Sequence, residues 1–151
     1  MRRFEIITAY QNQNVELPKR ATAHSAGYDL ASAETIVILP KQIQLIPTGL
    51  KVSLLETEVL LTFARSSLAI KKGLMMSNGV GVIDADYYNN EKNEGHILVP
   101  LFNFSDEAVT IEKGERVAQG IFTTYLKTEN DTTNETRREG GFGSSDKKSK
   151  K

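Results

Sequence analysis

Short apolar runs rich in β-branched residues recur along this chain, each long enough for one strand and no more. Phe4-Glu5-Ile6-Ile7-Thr8, Thr35-Ile36-Val37-Ile38-Leu39, Gln44-Leu45-Ile46-Pro47, Leu50-Lys51-Val52-Ser53-Leu54 and Val59-Leu60-Leu61-Thr62-Phe63 come first. Val80-Gly81-Val82-Ile83, the stretch from Ile97 to Phe104, Ala108-Val109-Thr110-Ile111 and the stretch from Val117 to Phe122 follow. Pro40, Thr48-Gly49, Asn78-Gly79 and Lys113-Gly114 punctuate the series as turn signals. Such a pattern predicts an all-β chain folded as a sandwich, jelly roll or barrel. One segment departs from it. Ser66-Ser67-Leu68-Ala69-Ile70-Lys71-Lys72-Gly73 has a serine start, a turn and a half of helix formers and a glycine stop, which predicts a short helix directly after Arg65.

At 151 residues the chain is long enough for one domain with a real core. Its formal net charge is zero, so no global basic field draws in nucleic acid, and any anion site has to be built locally. Cysteine is absent, which removes disulfides and thiolate metal sites. No apolar run approaches the length of a membrane span and none follows the basic start, so the expectation is a cytoplasmic protein without a leader or membrane anchor. The two histidines, His24 and His96, are isolated from each other and are read as surface or turn residues rather than catalysts. The expected organisation is a folded domain over 1–126 and an arm over 127–151. Thr128 to Glu139 contains no apolar residue, Gly140-Gly141-Phe142-Gly143-Ser144-Ser145 sets one aromatic among small residues, and Lys147 to Lys151 closes the chain.

Five segments carry residues suited to chemistry. Ala26-Gly27-Tyr28-Asp29-Leu30 sets a carboxylate near a glycine. Arg65-Ser66-Ser67 stands where a strand gives way to the helix, so that backbone N–H groups and a guanidinium fork suit phosphate; taken alone, the triplet reads more readily as a plain serine cap beside a surface arginine. Asn78-Gly79-Val80-Gly81-Val82-Ile83-Asp84-Ala85-Asp86-Tyr87 combines a hairpin-type turn, glycines that admit a flat ring to the backbone, and two carboxylates two residues apart, which share a face on a strand. One of these carboxylates is a candidate general base; a solvated acidic turn is the alternative. Gly114-Glu115-Arg116-Val117-Ala118-Gln119 reads as a turn feeding a strand. Arg137-Arg138-Glu139-Gly140-Gly141-Phe142-Gly143-Ser144-Ser145 can wrap phosphates with backbone N–H groups and stack its phenyl ring on a base, or can be a plain tail.

In this order and at this spacing, the five segments resemble the five motifs of the trimeric dUTP pyrophosphatase (dUTPase) family, over nearly the whole chain from Leu17 to Ser145. The resemblance implies a jelly-roll-like β barrel and a homotrimer with active sites shared between subunits, where the arm of one chain covers a site on another. It implies that Asn78 and the backbone of Gly81, Val82 and Ile83 read the uracil edge, and that Tyr87 lies under the deoxyribose and excludes a 2′-hydroxyl. Asp84 would deprotonate the attacking water. Ser66, with Arg65, Ser67 and Gln119, would hold the phosphate chain. Arg137, Gly143 and Ser144 would close on the outer phosphates, Phe142 would stack on the base, and Asp29 would support the site. Mg²⁺ is implied on the triphosphate, held by phosphate oxygens and water rather than directly by the protein. The chain departs from the family pattern at several places. Ala64 replaces a proline, and Asp146 a glycine. Arg138 stands where glycine is usual, so either Arg137 or Arg138 is the clamp. The segment 88–95 is longer than the common version and reads as an extended hairpin loop.

Two rival functions remain at this level. A dCTP deaminase shares the fold and some motifs, and a non-catalytic nucleotide-sensing module would use the same pocket. Nucleic-acid binding through the lysine tail is the weakest reading; the expected partners are dUTP and further copies of the chain, with neither nucleic acid nor a membrane.

Overall fold

The computed structural model describes residues 1–133 and 140–143. Eleven strands are formed there: β1 (Arg3–Ile6), β2 (Tyr28–Ala31), β3 (Ile36–Ile38), β4 (Ile43–Pro47), β5 (Leu50–Ser53), β6 (Glu58–Ala64), β7 (Leu74–Met76), β8 (Val80–Asp84), β9 (Leu98–Asn103), β10 (Val109–Ile111) and β11 (Arg116–Thr124). One helix, α1 (Ser66–Lys72), follows β6. All pairings are antiparallel, in the orders β1-β5, β10-β3, β2-β11-β6-β8 and β4-β9-β7. The result is the all-β architecture expected from the strand pattern, consistent with the jelly-roll-like barrel that the resemblance implied.

The strands send a set of large aliphatic side chains inward. Leu30, Ile38, Ile46, Leu60, Leu74, Ile97, Leu101, Ile111 and Val117 form a single buried core in which the sheets meet. Truncating one of these large aliphatic groups to alanine costs about 2–5 kcal/mol, because the packed neighbours relax only in part. Helix α1 contributes Leu68 to that core and ends at Gly73, whose φ of 65° is the left-handed conformation that glycine adopts without strain. Lys71 and Lys72 lie in the last turn, where they oppose the helix dipole.

The sequence reading missed β2 and β7. Both are short strands inside segments whose glycine and polar content hides the alternation. It also placed the helix start one residue late in its capping: Arg65 occupies the cap position in extended conformation, with no side-chain cap bond, and Ser66 is the first helical residue. Asn78-Gly79 does turn the chain, through bonds from the Gly79 N–H to the Met76 carbonyl and from the Val80 N–H to the Asn78 carbonyl. It does not close a hairpin, however: β7 pairs with β9 and β8 with β6, so this turn passes the chain from one sheet to another. The loop 88–95 crosses back in the same way, from β8 to β9, and is not a hairpin loop either.

Candidate active site

Strand β8 is the outer strand of its sheet, and the Asn78-Gly79 turn leads into it. A pocket of about 210 Å³ opens against this strand, lined by Thr62, Asn78, Gly81, Val82, Ile83, Asp84, Tyr87, Ile97, Leu98, Gly141 and Phe142. That volume lies below the roughly 300–1,000 Å³ of a site that engulfs a whole drug-sized ligand, so it suits one ring of a ligand. The expected base-reading residues Asn78, Gly81, Val82 and Ile83 therefore share one cavity with Asp84, Tyr87 and Phe142. Asp86 does not join them. The strand ends at Asp84 and the chain tightens into a 3₁₀ turn over Ala85–Tyr87, which leaves Asp86 exposed and away from the pocket. The expectation that the two carboxylates share a strand face is thus corrected.

Tyr87 is held from behind. It is buried, and its hydroxyl donates to the His96 carbonyl at 2.7 Å and accepts from the Asn93 amide at 2.9 Å. Asn93 also accepts from Asn90 at 2.7 Å and from the Gly95 N–H at 3.1 Å, and Asn90 donates to the Tyr87 carbonyl at 2.8 Å. Gly95, at φ 86°, is required here: a β-carbon would stand 2.7 Å from the Tyr87 carbonyl oxygen. The loop is anchored to the start of the chain. Glu94 accepts from the Thr8 N–H and from Lys51, and the Tyr88 hydroxyl donates to Glu5.

His96 sits at the base of this loop and is not the surface residue expected. Its Nε2 accepts from the Gly49 N–H at 2.9 Å, and its ring packs on Tyr10. Burial pushes the imidazole down to about 4, against a smaller opposing pull from Glu94. It is a neutral structural acceptor. His24 is exposed, as expected.

A second cluster forms at the other end of the same sheet. Strand β11 sets Gln119 beside Asp29 of β2 and Phe63 of β6. The Gln119 side chain lies over Gly27, where a β-carbon would come within 2.5 Å of its amide oxygen. Asp29 faces two guanidinium groups, Arg116 at 3.4 Å and Arg65 at 3.9 Å, and Arg65 donates to the Arg116 carbonyl at 3.4 Å. Ser66 and Ser67 open α1 immediately after Arg65, with Ser66 exposed. A larger cleft of about 700 Å³ begins at Asp29 and Arg116 and runs along 14–21 past Lys113. This end is cationic, polar and open, and suits anions. Arg116 was not among the candidate residues, although it stands inside the fourth segment; its role as the partner of Asp29 depends on a strand pairing invisible in sequence. A register shift between Arg116 and Ala118 re-aims this end of β11.

The two clusters do not meet. Gln119 is in register with Phe63 and Asp84 with Val59, which places them two strands and four residues apart, about 16 Å. Among the described arm residues, Gly141 lies against Tyr87 of its own chain, where a β-carbon would be 3.1 Å from the ring, and Phe142 is at the pocket mouth. The resemblance implied an arm that reaches another subunit; the described arm residues lie against their own chain. Arg137, Arg138, Ser144 and the lysine tail lie outside the described residues. Gly143, at φ 83°, is exposed and does not line the pocket.

The model of the dUTPase family matches residues 13–146. This chain belongs to the dUTPase family. The deoxyuridine 5′-triphosphate nucleotidohydrolase of Lactococcus lactis is 53% identical over 145 residues, covering 95% of this chain and 97% of the relative. The Rickettsia canadensis protein of the same name is 43% identical, covering 91% of this chain and 97% of the relative. The crystal structure of the dUTPase from Streptococcus mutans superposes with a TM-score of 0.82 at 52% identity, over 85% of this chain and 99% of that one. A dUTPase from phage phi11 of S. aureus, described with a structural Mg(II) ion, shares the fold at a TM-score of 0.72 and 23% identity, over 89% of this chain and 97% of that one. Family membership fits a chain whose ring-sized pocket and whose arginine-bearing end are built on one sheet. Among the described residues, no three carboxylates or histidines gather as a metal cage, and no helix is long and apolar enough to cross a membrane.

Proposed function

We propose that this chain hydrolyses dUTP to dUMP and pyrophosphate, with water attacking the α-phosphorus. The observation that carries the reading is the convergence of Asn78, Gly81, Val82, Ile83, Asp84 and Tyr87 on one ring-sized pocket. Uracil enters against the β8 backbone, whose N–H and C=O groups imitate a pairing strand. Tyr87 lies under the deoxyribose and leaves no room for a 2′-hydroxyl. Asp84 accepts the proton of the attacking water; the new bond forms from water oxygen to the α-phosphorus, and the bond to the bridging oxygen of pyrophosphate breaks. Arg65, Ser66, Ser67 and Gln119 hold the phosphates and stabilise the charge that develops on them, with Asp29 fixing the Arg65 guanidinium.

Asp84 and Gln119 of one chain stand too far apart to serve the same phosphorus atom. That separation supports a homotrimer in which one chain brings the base pocket and another the phosphate-binding end, with the arm beyond 126, including Arg137 or Arg138, Phe142, Gly143 and Ser144, closing over the substrate. The donor set also fits Mg²⁺ that arrives with the nucleotide. Asp29 is already engaged by two guanidinium groups, and Mg²⁺ prefers phosphate oxygens and retained waters to a closed protein cage. When bound, it neutralises charge on the leaving pyrophosphate. A cytoplasmic setting fits a chain without cysteine.

Pyrophosphate release with Mg²⁺ and dUTP, beside UTP, dTTP and dCTP, tests the reading. Fast release from dUTP alone supports it. Conversion of dCTP to a uracil nucleotide supports the deaminase instead, and dUTP binding without turnover supports the sensing module.

A further inference from the structure

Strand β6 carries two buried polar residues on its inward face, Glu58 and Thr62. Leu60 and Thr62 share the face that packs toward the core, and Thr62 is 4% exposed. The other buried polar side chains each have a partner among the described residues. Ser32 donates to the Glu34 carbonyl, Thr48 to the Ile97 carbonyl and Asn103 to the Ile38 carbonyl; Asn90 and Glu58 are bonded to Tyr87 and Arg2. The Thr62 hydroxyl has no such bond among the described residues. A buried hydroxyl left unmet is unfavourable, because folding strips it of water and returns nothing.

The position of this hydroxyl gives it a use. Thr62 lines the ring-sized pocket and is in register with Gly81 across the β6–β8 pair. A β-carbon on Gly81 would fall 2.0 Å from the Thr62 oxygen and 3.7 Å from the Asn78 amide nitrogen. The hydroxyl therefore occupies the space where residue 81 has no side chain, and it faces the same cavity as Asn78. Glycine at 81 serves two ends at once: it bares the β8 backbone and it leaves room for the Thr62 oxygen.

We infer that Thr62 is a further substrate-binding residue, whose hydroxyl donates a hydrogen bond to a ring carbonyl oxygen of the uracil. The inference rests on the base-pocket reading above and deepens it. Uracil offers two carbonyl oxygens and one N–H on its edge. The β8 backbone and Asn78 meet part of that edge from one side, and Thr62 meets it from the neighbouring strand.

The test uses the full-length protein and dUMP, titrated by calorimetry, with amide NMR shifts at Gly81, Val82 and Ile83 to locate the base. Thr62→Val keeps the shape and removes the hydroxyl. It should bind dUMP about 10-fold more weakly, a loss of about 1.4 kcal/mol. KM for dUTP should rise by a similar factor with kcat nearly unchanged, because the bond is made equally in ground and transition states. The melting temperature should stay level or rise, since valine carries no unmet polar group. Thr62→Ser, which keeps the hydroxyl, should bind like the wild type. If Thr62→Val binds dUMP as the wild type does while the three amides still shift, the role of Thr62 is refuted and the pocket stands. If dUMP shifts amides elsewhere, the pocket reading fails and takes this inference with it. A loss of binding in Thr62→Val that comes with a lowered melting temperature marks a structural hydroxyl and also overturns the inference.

Discussion

The side-chain amide of Asn93 donates to the Tyr87 hydroxyl at 2.9 Å, so a ring that lines the pocket is oriented by a loop behind it. Asn93→Asp keeps the acceptor for Asn90 and the Gly95 N–H but removes the donor to Tyr87. Tyr87→Ala removes the ring altogether. The dUTP/UTP ratio of kcat/KM should fall in both, by about 10-fold or more in Tyr87→Ala and by less in Asn93→Asp, in keeping with about 1 kcal/mol for one hydrogen bond. A ratio unchanged in Tyr87→Ala would remove the ring from sugar discrimination.

Asp84→Asn preserves size and removes the basic oxygen. Binding of dUTP should persist, while kcat drops by about 10²–10⁴-fold, the usual worth of a positioned general base. Single-turnover rates alongside equilibrium binding separate the two, and undiminished turnover would exclude Asp84 as the base.

Ending the chain before Arg137 should cripple hydrolysis and leave a folded trimer. Sedimentation would report the assembly and pyrophosphate release the activity. Full activity without those residues would refute closure by the arm.

His96 has a folded-state pKa of about 4 against 6.5 for the free side chain, the direction set by burial. Between these values the unfolded chain binds the proton and the folded chain does not, so stability falls as pH drops from 6.5 toward 4. Glu5, Glu58 and Glu94 are held below their ordinary 4.5 chiefly by the Tyr88, Arg2 and Thr8 hydrogen bonds, respectively, and their contributions are lost below that. Melting temperature followed from pH 7 to 4.5 should therefore decline in the wild type and decline less in His96→Gln. Equal slopes would mean that His96 does not control this window.

Much of the architecture was legible because apolar, β-branched runs stand between turn signals: Val59 to Phe63 and Ile97 to Asn103 read as strands in this way, and Leu50 to Ser53 through its alternation. Tyr28–Ala31 and Leu74–Met76 did not, being three or four residues long and flanked by glycine or a helix, too short for alternation to register. One wall of the ring-sized pocket was legible because its residues are nearly contiguous, from Asn78 to Tyr87. Arg116, Thr62 and Asn93 were not singled out, since each acts through a neighbour supplied by another element. Thr62 did leave a trace: it is a polar residue within the apolar run Val59 to Phe63, on the Leu60 side. His96 left none, because the Gly49 N–H that it accepts from lies 47 residues away.

The bonds from Tyr88 to Glu5 and from Thr8 to Glu94 stitch the first ten residues to the loop behind Tyr87. Variation at the start of a chain usually drifts freely. Here an exchange such as Glu5→Lys would set a cation beside Arg3 and Lys51 and unfasten Tyr88, while touching no nucleotide. Under the role proposed for Tyr87, β1 and the turn after it act as a distant mooring for sugar choice without meeting the nucleotide.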